Sequence, residues 1–183
     1  MTATTAAPAT TVVPPPTAPP DDLAAVTAIA PLDGFTEIST GTGLGPLDLT
    51  AAADGDGRER DALNRFHFRD GHARGFANGA EELIVTVLRF ATPADAKAYL
   101  QDTVESSLMG NSSYLFAVPV AGATGYREQG AGVDGEPFVT YGALFSRGDR
   151  CYEQLVRSPA TGLERSEAEA QGLARRQADR VGG

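Results

Sequence analysis

The chain has 183 residues, of which 24 are acidic and 15 basic, giving a net charge of −9 with 42% hydrophobic residues. That length supports one domain with a core of its own, and the acidic balance excludes a phosphate-neutralising nucleic-acid binder and electrostatic docking on anionic lipid. The lone cysteine, Cys151, excludes an internal disulfide or a cysteine-based zinc site.

In chain order, Thr2 to Pro20 is almost wholly Thr, Ala, Pro and Val. Such a segment buries too little surface to fold and is expected to form a disordered, semi-stiff tether over residues 1–20, with a single domain over 21–183. No basic region followed by an apolar core marks a signal peptide, and no run of about 18 apolar residues marks a membrane-spanning helix. Spacers of this composition commonly follow a membrane anchor or a lipidated cysteine. The expectation is therefore an anchor upstream of Met1; the plain alternative is a disordered tail on a cytosolic protein.

Asp21 and Asp22 suit a helix N-terminus, and Leu23, Val26, Thr27 and Ala30 make its stripe before Pro31 ends it. Gly34 to Ile38 reads as a strand and Thr40 to Pro46 as a Gly-rich connector. Asp48 caps a short helix over Leu49 to Ala53, Asp54-Gly55-Asp56-Gly57 interrupts, and Glu59 to Phe66 resumes. Gly71 to Ala77 pairs with Leu83 to Phe90 through the Asn78-Gly79 turn. Leu83, Val85 and Val87 alternate with Ile84, Leu88 and Phe90, so both pleat faces are apolar, and the strand is predicted to be central and covered on both sides.

The next helix announces itself by Thr92 as cap, Pro93 at the first position and Asp95 at the third. Its packing stripe is Ala96, Tyr99, Leu100, Thr103 and Val104. Short strands follow at Tyr114 to Val118 and around Gly122 to Tyr126, then a loop from Gly130 to Gly135. Phe138 to Phe145 and Cys151 to Val156 make a second hairpin across Arg147-Gly148-Asp149. Ser166 with Glu169 forms a capping box for the last helix, whose stripe is Ala170, Leu173, Ala174, Gln177 and Val181. The sum is an α+β domain: a mostly antiparallel sheet of about five or six strands with helices packed on it, and two hairpins separated by a long helix and followed by a C-terminal one.

Sites are harder to find. His67, Asp70 and His72 are the candidate metal ligands, but two histidines five apart in a helix-to-strand connection share no helix face, and zinc needs three or four ligands. A surface loop is the plainer reading, and no cofactor is expected. Asp54-Gly-Asp-Gly lacks the later ligands of a calcium loop, and Gly41-Thr-Gly43-Leu-Gly45 lacks the endings of a nucleotide loop. Neither histidine has an evident serine partner, and no Gly-x-Ser-x-Gly elbow occurs. Asn111-Ser-Ser matters only in a glycosylating host. Cys151, beside Arg150, is a reactive thiol if exposed and a small buried strand residue otherwise. Arg74, Arg89, Arg147, Arg150 and Arg157 lie on or near strands; convergence of several on one face would make an anion site, with Arg74, Arg89 and Arg150 the leading candidates.

The order Leu-Asp-Gly-Phe-Thr (32–36), Gly-Pro-Leu-Asp-Leu-Thr-Ala-Ala-Ala (45–53), Gly-His-Ala-Arg-Gly-Phe (71–76), Leu-Arg-Phe-Ala-Thr-Pro-Ala-Asp-Ala (88–96) and Phe-Ser-Arg-Gly-Asp-Arg (145–150) resembles a domain of exported actinobacterial proteins and lipoproteins. There it follows a signal or membrane segment and a Thr/Pro/Ala-rich spacer. The domain also resembles in fold the Mog1/PsbP-like lipoprotein domains, which are binding folds, although the aromatic usual after the Arg-Gly-Phe strand is missing. The resemblance implies an extracytoplasmic domain of the cell envelope, or a secreted one, with no assigned reaction. The function expected is therefore non-enzymatic binding of a protein partner or small ligand, with no nucleic acid and with membrane contact only through an upstream anchor. The alternatives are an enzyme whose site is assembled from dispersed residues, and a purely structural envelope module.

Overall fold

The computed structural model describes residues 22–39, 41, 43–108, 114–131, 135–160 and 165–182. The tether over residues 1–20 and the Asn111 sequon lie outside them. The elements in order are α1 (Leu23–Thr27), β1 (Thr36–Ile38), β2 (Gly45–Leu47), α2 (Leu49–Ala53), α3 (Gly57–Arg65), β3 (Phe68–Asn78), β4 (Glu81–Phe90), α4 (Pro93–Asp102), a π-helical segment (Thr103–Leu108), β5 (Tyr114–Ala117), β6 (Thr124–Ala131), β7 (Pro137–Arg147), β8 (Arg150–Pro159) and α5 (Glu167–Arg180).

All strands join one antiparallel sheet in the order β1-β3-β4-β8-β7-β6-β5, with β2 also pairing β3. The sheet therefore has eight strands, not five or six. Gly45–Leu47, expected to be connector, pairs with Ala73 to Gly71, and β6 runs on to Ala131 instead of giving way to a loop at Gly130. Both hairpins form, and β3 pairs β4 from Asn78↔Glu81 to Phe68↔Phe90.

Capping explains where the helices start. Asp22, Asp48 and Asp56 each accept two backbone N–H groups ahead of α1, α2 and α3, so the Asp54-Gly-Asp-Gly stretch is an exit and an entry cap. Asp54 ends α2 in the left-handed conformation at φ 43°. Thr92 accepts from the Asp95 amide with Pro93 in the first turn, and Ser166 and Glu169 satisfy each other's amides in a capping box.

The helices divide between the two faces of the sheet. On the α5 face, Leu83, Val85 and Val156 pack with Phe76, Leu173 and Ile29, while Val87, Phe145 and Tyr152 pack with Val26, Ala178 and Val181. The whole predicted stripe of α5 is buried here. On the α4 face, Phe90, Cys151, Ala96, Tyr99, Leu63 and Ala53 form one cluster, and Tyr126 and Leu144 sit under Leu100 and Val104. These contacts cover only one end of that face. The expectation that β4 is covered on both sides therefore holds for Leu83, Val85, Val87 and Phe90, but Ile84, Thr86 and Leu88 remain half-buried.

Candidate ligand-binding face

Register locates the surface that the described residues leave partly covered. Directly opposed residues in antiparallel strands point to the same side, and the pairings Ile38↔Gly75, Gly75↔Ile84, Ile84↔Leu155, Leu155↔Gly142, Gly142↔Tyr126 and Tyr126↔Leu115 trace one row across seven strands of the α4 face. Six inter-strand steps of about 4.8 Å make it roughly 29 Å long. No charged residue lies in it. Ile38 and Leu115 at its two ends are 36% and 37% exposed, and Ile38, Ile84, Leu155 and Leu115 belong to none of the buried clusters.

Two glycines shape this row. A Cβ at Gly142 would overlap the Tyr126 ring and hydroxyl, so the missing side chain is what lets Tyr126 lie flat across β7 and reach β8. A Cβ at Gly75 would meet Leu44 and Ile38, which fold over the sheet there.

Charged residues flank the apolar row. On one side the register gives Ala77, Glu82, Arg157, Thr140 and Glu128. Arg157 stacks over Phe138 at 4.6 Å and stands 3.6 Å from Glu82. Thr140, 1% exposed, has a buried hydroxyl with no hydrogen-bond partner, as does the Arg157 Nε opposite it. Towards α4, the next row carries Thr86, Glu153 and Leu144. The Tyr126 hydroxyl donates to Glu153 Oε1 at 2.7 Å, and the Tyr99 hydroxyl to Glu59 Oε1 at 2.5 Å. Burial pushes the Glu153 carboxyl above the ordinary carboxylate range, against the Tyr126 hydrogen bond, and the neighbouring Glu59 and Glu128 push it further. Glu59 is raised too, by burial first. Protein surrounds Glu153 on most sides, yet it keeps some exposed surface. Among the described residues no cation stands within ion-pair distance of Glu153, Glu128 or Glu59.

The residues singled out from the sequence lie elsewhere. Asp70, Arg89, Arg150 and Arg147 form a row on the α5 side through the pairings Asp70↔Arg89, Arg89↔Arg150 and Arg147↔Arg150, and Arg74 shares that face. The arginines are thus brought together, but each meets an acceptor. Arg89 grips Asp70 with two nitrogens, Nε at 2.8 Å. Arg150 stands 3.7 Å from Asp149, Arg74 stands 3.6 Å from Glu37, and Arg147 donates to the carbonyls of Ala178 and Gly182 at the end of α5.

The histidines do not meet. His67, exposed and at φ 56°, bonds Asp95 at 3.0 Å, whereas His72 Nδ1 bonds the buried Thr27 hydroxyl at 2.9 Å. Thr27 also donates to the Ala24 carbonyl, which makes the pair a clamp of α1 on β3. Beside it a cleft of about 610 Å³ is lined by Asp22, Pro46, Asp48, Arg69, Asp70 and His72. Among the described residues no group of three or more His, Cys, Asp or Glu side chains is placed to hold a metal ion. The Cys151 thiol donates to the Ala96 carbonyl at 2.9 Å, and burial pushes it up to about 12. It is the inert buried residue of the two readings.

Neither Glu153 nor the apolar row stood out in the sequence. Gly142, a glycine inside the apolar strand Val139 to Phe145, was the one local signal of a close approach there.

With the geometry in place, the chain can be compared with known proteins. Its fold is similar to that of the extracellular domain of PknH from Mycobacterium tuberculosis. The match covers 87% of this chain and 89% of that domain at 10% identity, with a TM-score of 0.54. A protein from Bacteroides thetaiotaomicron also matches, over 78% of this chain and 41% of that one, at 13% identity and a TM-score of 0.43. No family model and no curated protein matches the chain. Among the described residues no helix is long and apolar enough to cross a membrane.

Proposed function

We infer that this protein is an extracytoplasmic, non-enzymatic binding module whose ligand or partner sits on the uncovered half of the α4 face. The observation that carries this reading is the apolar row from Ile38 to Leu115, whose two ends are exposed and whose Ile84 and Leu155 are only half-buried among the described residues. A sheet face that is apolar and uncovered costs solubility and is retained where something binds. Two further observations support the placement outside the cytoplasm. The fold is shared with a domain that is itself extracellular, and the Thr/Ala/Pro-rich residues 1–20 have the composition of an envelope spacer. Among the described residues the hydroxyl residue hydrogen-bonded to a histidine is Thr27, which meets His72. Its hydroxyl is fully buried and already donates to the backbone, which favours binding over chemistry.

The experiment is native mass spectrometry of the protein released gently from its own envelope fraction, for wild type and for Leu155→Glu. A defined added mass that disappears in the variant supports a small ligand on this face. An added mass that survives Leu155→Glu places the ligand elsewhere and overturns the reading. Should the wild type be bare, in-cell cross-linking from Ile38 and Leu115 is expected to trap a protein partner. Recovery from the cytosolic fraction alone would overturn the localisation.

A further inference from the structure

The proposed face has a chemical preference written into its charges. Of the side chains in and beside the apolar row, the carboxylates are Glu82, Glu128 and Glu153, with Glu59 behind the last. Among the described residues the cation in these rows is Arg157, which Glu82 and the Phe138 ring already hold. Glu153 is the unusual member. It lies one strand step from Thr86 and Leu144, and two residues along β8 from Leu155 in the row. Tyr126 donates to Oε1, and among the described residues no cation stands within ion-pair distance of the carboxylate. A carboxylate set among apolar neighbours without a counter-charge is costly, and a ligand cation relieves that cost. The Thr140 hydroxyl, buried and without a hydrogen-bond partner in the flanking row, is a second polar group on this face left unsatisfied.

We propose that Glu153 and the apolar row together bind a cationic amphiphile: a protonated amine whose ammonium takes Glu153 Oε2 and whose apolar chain runs over Leu155, Ile84 and Ile38. From Leu155 to Ile38 is three strand steps, roughly 14 Å, enough for a medium alkyl chain. The row runs across the strands, a direction that suits such a chain. Tyr126, held flat by Gly142, fixes the carboxylate through its hydroxyl. This inference rests on the reading of the face as a binding surface.

The test is an NMR titration of the isotope-labelled full chain with n-octylammonium, n-octanol and n-octanoate, each below its aggregation concentration. Octylammonium is expected to shift the amides of Ile84, Glu153 and Leu155 and to bind about tenfold tighter than octanol, with octanoate weaker than either. Glu153→Gln is expected to bring octylammonium down to the octanol affinity and to leave octanol unchanged. An equal or tighter affinity for octanoate, or a tenfold preference that survives Glu153→Gln, overturns the cation assignment while leaving the face intact. If none of the three probes shifts these amides, the face reading falls, and the cation proposal with it. Should Glu153→Gln perturb the fold, Leu155→Arg carries the test, since it places a cation of the protein's own in the groove. Octylammonium binding must then be abolished, and its persistence overturns the proposal.

Discussion

The two faces of β4 carry side chains of similar hydrophobicity and end in different surroundings. Leu83, Val85 and Val87 are fully buried under α1 and α5, whereas Ile84 and Thr86, facing the other way, are only half-buried. Apolar patterning on both faces says that a strand is shielded on both. It does not say by what. On the α5 face the shield is the chain's own helix, and on the α4 face the described residues complete the shield only in part. The difference between the faces separates the part of the sheet that is fully buried from the part that the described residues leave half-buried.

The sharpest way to break this comparison is a pair of truncations. Leu83→Ala is expected to cost about 3–5 kcal/mol, as for a leucine removed from a filled core, and Leu155→Ala less than about 1 kcal/mol. Urea denaturation of both variants measures the gap. Equal losses would mean that the α4 face is as closely packed as the other and that no open surface exists.

Next in size is Gly142→Ala. The added methyl would strike the Tyr126 ring, so the ring must lift, and a loss of about 1–3 kcal/mol is expected from overpacking. The Tyr126 hydrogen bond to Glu153 would go with it, visible as a shift of the Tyr126 ring resonances. A neutral substitution with unchanged resonances would show that the ring does not lie over β7.

Much of this architecture was legible before any coordinates. The starts of α4 and α5 could be read because capping is local: Thr92, Pro93, Asp95, Ser166 and Glu169 each act within one turn. The hairpins could be read because Asn78-Gly79 and Arg147-Gly148-Asp149 sit between apolar runs. Strand β2 could not, since three residues of which two are Gly and Pro carry no strand pattern and form a strand only because β3 offers partners. The candidate site was hidden for a related reason. Ile38, Ile84, Leu155 and Leu115 are unremarkable in their own segments and become a row only through the registers of six strand pairs. Glu153 looks like an ordinary polar strand residue until its neighbours across the strands, Thr86 and Leu144, prove to carry no charge. The arginines and histidines stood out by residue type, yet type alone did not reveal that Asp70, Asp149, Glu37 and Thr27 already engage them.

Two carboxyls, one on each face, sharpen the contrast through pH. On the α5 side Arg165 hydrogen-bonds both oxygens of Glu81, with Ser158 adding a third bond. The Arg165 guanidinium holds the Glu81 carboxyl below the ordinary carboxylate range. A carboxyl lowered on folding contributes stability that is present above its unfolded value and is lost as pH falls through its folded value. Glu81→Gln is therefore expected to cost about 2 kcal/mol at pH 7, the scale of a charge-assisted hydrogen bond. The cost should shrink steadily below about pH 4.5. A cost that does not change with pH would assign the loss to packing and not to the ion pair.

Glu153 on the α4 side has the reverse sign and the smallest effect. Its carboxyl is raised on folding, chiefly by burial and then by Glu59 and Glu128. A raised carboxyl favours its protonated form in the fold, so its ionisation opposes folding at pH values above its folded value. That opposition disappears once pH drops below the ordinary carboxylate range, where folded and unfolded chains are both protonated. Glu153→Gln keeps the shape and the acceptor for Tyr126 while removing the charge. It is expected to stabilise the protein modestly at pH 7, with a gain that vanishes below about pH 4. Thermal unfolding of wild type and variant at both pH values measures it. A variant less stable than wild type at pH 7 would mean that the charge is satisfied within the chain, and the case for an external cation at this position would fall. A gain at pH 7 that closes in acid would show stability being given up at the same carboxylate that the groove presents to its ligand.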